Sequence, residues 1–114
     1  MTAGEQELRW ERRANRTTSA MRSVGGKLGV IGDHLAFSPH GFDRALAATD
    51  WSVPLEQVKS FQVEPVNLGH LFGGGLRKRL AVVTRDGERE LFVVGNAEKT
   101  ARELSQLTGV PSHP

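Results

Sequence analysis

A run of glycines next to three cations is the part of this sequence whose residue types best suit the binding of an anion. Residues 73–75 are all glycine, and Arg77, Lys78 and Arg79 follow closely. A flexible glycine run exposes backbone amides to an anion, and each nearby Lys or Arg attracts an anionic lipid surface by about 1 kcal/mol. The segment lacks the Gly-Lys-Ser/Thr ending of a nucleotide-binding loop. If Arg77 and Arg79 lie in one strand, their side chains share a face.

Two other interpretations of this segment remain open. In the first, it is a solvated hairpin loop whose cations protect an edge strand from aggregation, and this interpretation is favoured. In the second, the apolar residues just before the glycines, Leu68, Leu71 and Phe72, contact a membrane. Exposed Leu and Phe beside cations can enter the headgroup boundary, which makes Leu71 and Phe72 candidates for insertion. Residues of this kind more often fold back on the core.

The N-terminal region carries a second concentration of positive charge. Its five arginines, opposed within the span only by Glu11, are Arg9, Arg12, Arg13, Arg16 and Arg22. Stacking of Trp10 and arginines on a base is conceivable, but the chain has no Tyr and few other aromatics, so we expect no binding of nucleic acid. Whether these arginines meet residues 77–79 on one face decides between a membrane and a protein partner.

No arrangement of residues in the sequence indicates catalysis or metal binding. The absence of cysteine excludes thiol chemistry and disulfides. The scattered His34, His40, His70 and Asp43 do not have the spacing of metal ligands, and Ser38 before Pro and His is not a nucleophile elbow. We therefore expect no enzymatic activity, no metal and no cofactor.

Length and composition favour one small, strand-rich domain. The chain has 114 residues, 13 of them glycine and 5 proline, with a net charge of +2. This density of turn formers fits short strands better than long helices. There is no apolar run suited to a signal peptide or a membrane-spanning helix. These features lead us to expect a cytoplasmic protein whose membrane contact, if it has one, is peripheral at the inner face.

Alternation of apolar and polar residues predicts antiparallel strands along most of the chain. The predicted strands lie at residues 27–31, 34–37, 51–55, 59–65, 79–84 and 90–94. Two hairpin turns are expected at Gly32-Asp33 and Asp86-Gly87. Residues 5–15 suit either a strand or a helix, and the strand is favoured. Residues 17–26, rich in Thr, Ser and Gly, predict a flexible loop.

The periodicity changes near the C-terminus and predicts one amphipathic helix. Apolar residues at positions 97, 101, 104 and 107 form a stripe with helical spacing. Asn96 suits the N-cap because its side chain can accept a hydrogen bond from the amide of Lys99. Gly109 and Pro111 end the helix. So short a helix needs a partner, and the open end of a curved sheet can provide one.

A family resemblance depends on short pieces that stand in a particular order. These are Ala14-Asn15-Arg16, Gly25-Gly26-Lys27-Leu28, Leu35-Ala36-Phe37-Ser38-Pro39-His40-Gly41-Phe42-Asp43, Trp51, Pro54-Leu55, Gly74-Gly75-Leu76-Arg77-Lys78-Arg79-Leu80, Asp86-Gly87 and Phe92-Val93-Val94. Together, over roughly residues 5–107, they resemble a bacterial GRAM domain. Residues 25–43 match best, because such domains usually show a Gly-Gly-Lys-Leu strand, a turn, and a Leu-x-Phe strand leading to Pro-His.

The resemblance implies the pleckstrin-homology superfold. That fold has seven antiparallel strands in two nearly orthogonal sheets, a partly open barrel with one end closed by a C-terminal helix. The sequence departs from the family at Gly29, Ile31 and His34, where an aromatic residue, a Thr and an Arg are usual. Contacts made by those usual side chains are not carried over.

The leading functional hypothesis is a non-enzymatic binding module. It docks on anionic membrane lipid or phosphorylated headgroups through Arg77, Lys78 and Arg79, with Arg22 and Lys27 as further candidates. Eukaryotic relatives of the GRAM family, associated with membranes and phosphoinositides, imply the same. The alternative is a protein-interaction or scaffold domain that uses a sheet edge or the groove beside the C-terminal helix. We expect one domain over residues 1–110, with a flexible first few residues and a tail at 111–114.

Overall fold

The described part of the chain is mostly β-strand, arranged in one open sheet, with one α-helix near the C-terminus. A computed structural model describes residues 7–42, 50–73 and 75–113, and for residues 71–73 the description covers the backbone. The strands are β1 (Leu8–Ser19), β2 (Arg22–Ile31), β3 (His34–Ser38), β4 (Trp51–Pro54), β5 (Val58–Glu64), β6 (Arg79–Thr84), β7 (Arg89–Val93) and β8 (Ser112–His113), and the helix is α1 (Ala97–Thr108). Short 3₁₀ segments span Leu55–Gln57 and Leu68–Gly73.

Within the described residues, all strands belong to one sheet with the order β4-β3-β2-β1-β7-β6-β5-β8. The pairs are antiparallel except for β8, which runs parallel to β5. The prediction of a mostly β fold with one C-terminal helix is confirmed. The strand arrangement differs from the expected seven antiparallel strands in two sheets, because the described strands number eight and form one open, mixed sheet. The tail residues Ser112 and His113 form the eighth strand, opposite Phe61 and Gln62.

The first two strands form a long hairpin where a loop was expected. Residues 17–26 were predicted to be a flexible loop, and this is wrong, since β1 continues to Ser19 and β2 begins at Arg22. Pairing with a neighbouring strand along almost the whole length outweighs the low strand propensity of Ser, Thr and Gly. The ambiguous segment at residues 5–15 is a strand from Leu8 onward, as favoured.

The helix closes the domain as its sequence predicts. The side-chain oxygen of Asn96 accepts a hydrogen bond from the Lys99 amide at 3.0 Å, and Gly109 ends the helix with a φ of 80°. Ala97, Ala101 and Leu104 are buried in the core. The apolar stripe therefore packs on the sheet, which supplies the partner that so short a helix needs.

The hydrophobic core brings together side chains from nearly every described strand. Its largest apolar members are Phe37, Phe61 and Phe92, all fully buried. Trp51, half-buried, packs against Phe92 with a ring separation of 5.5 Å, as expected for an aromatic on a sheet face. Among the described residues, none of the helices has the length and apolar character needed to cross a bilayer.

Candidate functional site: a basic groove across β1

The three consecutive cations at residues 77–79 point to three different environments. Arg77 is exposed and donates to the carbonyls of Val94 at 3.1 Å and Gly95 at 3.3 Å. The ammonium of Lys78 lies 3.1 Å from a carboxylate oxygen of Glu98 on α1. Arg79 is completely buried. Because β6 begins at Arg79, Arg77 lies before the strand, so the two arginines do not lie in one strand and the condition for a shared face is not met.

Arg79 acts inside the domain rather than on its surface. Its guanidinium donates to the hydroxyl of Thr17 at 3.2 Å and contacts Nδ1 of His70 at the same distance. Burial lowers the pKa of Arg79, whereas the nearby carboxylate of Glu64 raises it. Its side chain is inaccessible to a headgroup in this conformation, so we leave Arg79 out of the candidate site and assign it a structural role.

The remaining predicted residues occupy different parts of the molecule. Arg22 is exposed where β2 begins, beside Met21 at the tip of the hairpin. Lys27 lies opposite Arg13 in the β1–β2 ladder, and its ammonium is 3.3 Å from the Glu11 carboxylate. The insertion candidates Leu71 and Phe72 have their backbone in the 3₁₀ segment Leu68–Gly73, and their side chains lie outside the described residues.

A shallow depression of about 430 Å³ lies over the hydrogen-bonded region between β1 and β2. The polar side chains that line it are Arg13, Asn15, Lys27 and His40. Gly26 lets the backbones approach closely here, since a Cβ atom at this position would lie 2.5 Å from the Ser38 carbonyl oxygen. The depression therefore combines cations with a compact, glycine-containing floor.

A second depression, of about 350 Å³, adjoins the first on the other side of β1. Its lining includes Arg12 and Arg77 and shares Arg13 and Asn15 with the first. The two meet at Asn15 because this residue pairs with Gly25 of β2 on one side and with Val93 of β7 on the other. We call the two depressions together the basic groove.

The basic groove has a net positive charge because few carboxylates lie near it and each of those already forms an ion pair. No Asp or Glu lies among the described residues that line it. Just outside the lining, Glu11 pairs with Lys27 and Glu103 pairs with Arg12. Within the described parts of the chain, Arg13 and Arg77 have no carboxylate partner, and the carbonyls that Arg77 contacts leave its positive charge in place.

The sequence indicated the cations of both halves of the groove, but not that the two halves lie side by side in the fold. Arg12 and Arg13 belonged to the N-terminal arginines, and Arg77 to the glycine-rich segment. Asn15 was part of the GRAM-like pattern but was not chosen as a site residue. The strand order β2-β1-β7 brings Arg13 and Arg77 together although they are 64 positions apart, and no local signal in the sequence gives this order.

The histidines and Ser38 do not form a second chemical centre. The hydroxyl of Ser38 accepts from the His40 amide at 3.2 Å, and Nδ1 of His34 lies 2.9 Å from the Asp33 carboxylate. In the described portion of the chain, no group of three His, Asp or Glu side chains could hold a metal ion. Asp43 lies outside the described residues.

Comparison with known proteins adds no family assignment. No protein-family model matches this chain, and no curated protein is significantly similar to it. The geometry of the basic groove is therefore the main basis for a functional proposal.

Proposed function

We propose that this chain is a non-enzymatic, GRAM-like member of the pleckstrin-homology superfold that binds phosphorylated headgroups at an anionic membrane surface through the basic groove. One observation carries the proposal: cations from both basic segments, Arg13 and Arg77, line one depression with no carboxylate among its described lining residues. A phosphate placed there gains charge attraction from both guanidiniums and hydrogen bonds in the fixed planar geometry that suits its oxygens.

The energetic expectation is modest and measurable. Each cation near an anionic surface contributes about 1 kcal/mol at physiological salt. Loss of Arg13 and Arg77 together should weaken binding by about 2 kcal/mol, or roughly 30-fold in the dissociation constant. Because the contact is electrostatic, binding should also weaken steeply as ionic strength rises.

Co-sedimentation with vesicles tests the proposal. Wild type, R13A/R77A and a matched control, K59A/K99A, are compared on phosphatidylcholine vesicles with and without an anionic phosphoinositide. The control removes the same charge from exposed positions outside the groove. We expect wild type and control to bind the anionic vesicles alike and the groove variant to bind roughly 30-fold more weakly.

Two outcomes would contradict the proposal. One is equal binding of wild type to neutral and anionic vesicles, and the other is an equal loss in the control and the groove variant. Competition at constant ionic strength separates two sources of phosphate. Displacement from vesicles by millimolar inorganic phosphate identifies a free anion as the ligand, whereas displacement by the soluble inositol phosphate headgroup alone identifies the lipid.

A second candidate function is docking of an extended protein segment at the edge of β5. The tail already occupies part of this edge, since the Phe61 amide donates to the Pro111 carbonyl at 2.9 Å. A cavity of about 180 Å³ next to it is lined by Val63, Ala101 and His113 among others. If this is the functional surface, a partner protein recovered by pull-down should remain bound to R13A/R77A.

A further inference from the structure

Arg79 ties the loop between β5 and β6 to the first strand. This loop, residues 65–78, contains the 3₁₀ segment Leu68–Gly73, which contacts β1 and β2. The buried guanidinium of Arg79 reaches Thr17 on β1 and His70 in the loop, both at 3.2 Å. One side chain thus bridges the strand that carries Arg13 and the loop that carries Arg77.

The contact between Arg79 and His70 requires an uncharged imidazole. A guanidinium has only hydrogen-bond donors, so Nδ1 of His70 must accept through its lone pair. A proton on Nδ1 replaces that lone pair with a second donor and places two positive charges side by side. Histidine side chains change charge between pH 5 and 8, and His70 is partly exposed, so solvent protons reach it.

Most of the charged side chains around His70 are arginines. The depression beside it is lined by Arg16 from β1 and by Arg89 and Glu90 from β7. Both nearby carboxylates are engaged elsewhere: Glu90 pairs with Arg16 at 3.0 Å and Glu64 of β5 pairs with Arg89 at 2.6 Å. The charged residues of β2, Arg22 and Lys27, do not line this depression. No free carboxylate among the described lining residues is therefore available to compensate for a proton on His70.

Backbone contacts connect His70 to the groove cation. The carbonyl of His70 accepts from the Gly75 amide at 2.8 Å, and the Gly75 carbonyl accepts from the Asn67 amide at the same distance. The fit around Gly75 is tight, since a Cβ atom there would lie 2.1 Å from the Asn67 carbonyl oxygen. Arg77 follows two residues later and donates to the Val94 and Gly95 carbonyls, so the backbone of the loop and these two hydrogen bonds together position it over the groove.

We propose that His70 and Arg79 form a proton-sensitive latch: neutral His70 holds the 65–78 loop on β1, and protonation of His70 releases it and withdraws Arg77 from the basic groove. The effect on ligand affinity rests on the proposed function, whereas the opening of the loop does not. A phosphate also loses negative charge in acid, so weaker binding at low pH does not by itself identify the latch. The latch predicts that wild type loses more affinity on acidification than H70N, in which the loop stays closed.

Amide hydrogen exchange of residues 66–78 at pH 7.5 and pH 5.5, corrected for the intrinsic exchange rates, tests the latch directly. Wild type should lose protection on acidification, by up to about tenfold per pH unit once His70 titrates. H70N is the informative variant, because its amide oxygen can accept from Arg79 but does not titrate. H70N should keep its protection at pH 5.5, and the control H40N should respond as wild type does.

Protection in wild type that does not change with pH would overturn the latch, as would a pH response that persists in H70N. Should H70N fail to fold, the imidazole ¹⁵N shifts of wild-type His70 decide: the latch requires Nδ1 to be unprotonated at pH 7.5.

Vesicle binding at both pH values then tests whether the latch regulates ligand affinity. Absence of binding at pH 7.5 contradicts the proposed function alone, whereas binding that does not fall at pH 5.5, or that falls equally in H70N, contradicts regulation by the latch.

Discussion

The basic groove and the outer face of α1 both receive cations from the same two stretches of sequence, yet they present very different charge. In the groove, Arg13 and Arg77 face no carboxylate among the described residues. On the helix, Glu98 takes up Lys78 and Glu103 takes up Arg12. The carboxylates of α1 thus neutralise the two cations beside the helix. The difference teaches that clustered cations leave uncompensated positive charge only where the fold keeps carboxylates away from them.

The largest expected effect comes from separate substitutions of Arg79 and Arg77, which lie two residues apart. R79M removes a buried guanidinium that bonds to Thr17 and His70, so we expect a loss of about 3 kcal/mol in the free energy of unfolding. R77M, at the surface, should change stability by about 0.5 kcal/mol or less but weaken anion binding. Urea denaturation and vesicle binding measure the two effects. Equal stability losses in both variants would remove the distinction between them.

A smaller effect is expected in the floor of the groove, where two adjacent glycines differ. G26A places a methyl group within 2.7 Å of two backbone atoms, the Ser38 oxygen and the Pro39 Cα. We expect it to destabilise the domain by about 1 to 3 kcal/mol. G25A meets only the side-chain oxygen of Asn15, at 3.2 Å, which can move aside. Thermal unfolding of both variants checks this, and a loss in G25A as large as in G26A would contradict it.

The smallest expected effect concerns the neutralised helix face. The hydrogen bond from Lys78, a hydrogen bond from the Glu98 backbone and then the charge of Lys78 lower the pKa of Glu98 from its ordinary value of 4.5. The ionised carboxylate therefore contributes stability above about pH 4.5, and this contribution is lost as the pH falls through the lowered folded-state value. K78A should raise the pKa of Glu98 and flatten the stability profile in that acidic window.

Carboxyl ¹³C shifts of Glu98, followed through a pH titration, measure this change. K99A on the same helix serves as the control, because the ion pair with Lys78 remains. A Glu98 pKa that is the same in K78A and wild type would show that the helix face is not neutralised in the way described.

Local sequence signals account for most of the individual elements. The Asp86-Gly87 turn, the Asn96 cap and the Gly109 stop depend on contacts within a few residues, and each is found where expected. Long-range pairing explains what the sequence did not reveal. Residues 17–26 have the composition of a loop, but their pairing partners make most of them strand. Ser112 and His113 form a strand only because β5 offers an edge beside the helix.

The candidate site divides in the same way. By residue type alone, Arg77 and Lys78 were equivalent candidates for anion binding. The position of α1 distinguishes them, because its Glu98 pairs with the Lys78 ammonium and not with the Arg77 guanidinium. Arg79 looked like a surface cation, but every residue of β6 is buried, and its guanidinium is covered between Thr17 of β1 and His70 of the loop before β6. Asn15 gains its place at the centre of the groove from pairing with strands on both sides.

Mapping of anion contacts by NMR tests the central claim most directly. The ¹⁵N-labelled protein is titrated with a short-chain anionic phosphoinositide below its micelle concentration, and phosphatidylcholine of the same chain length is the control. We expect saturable shifts, with the anionic lipid only, at the backbone amides of Arg13, Asn15, Gly25 and Gly95. Shifts centred on α1, or equal shifts with both lipids, would contradict the assignment of the basic groove as the binding site.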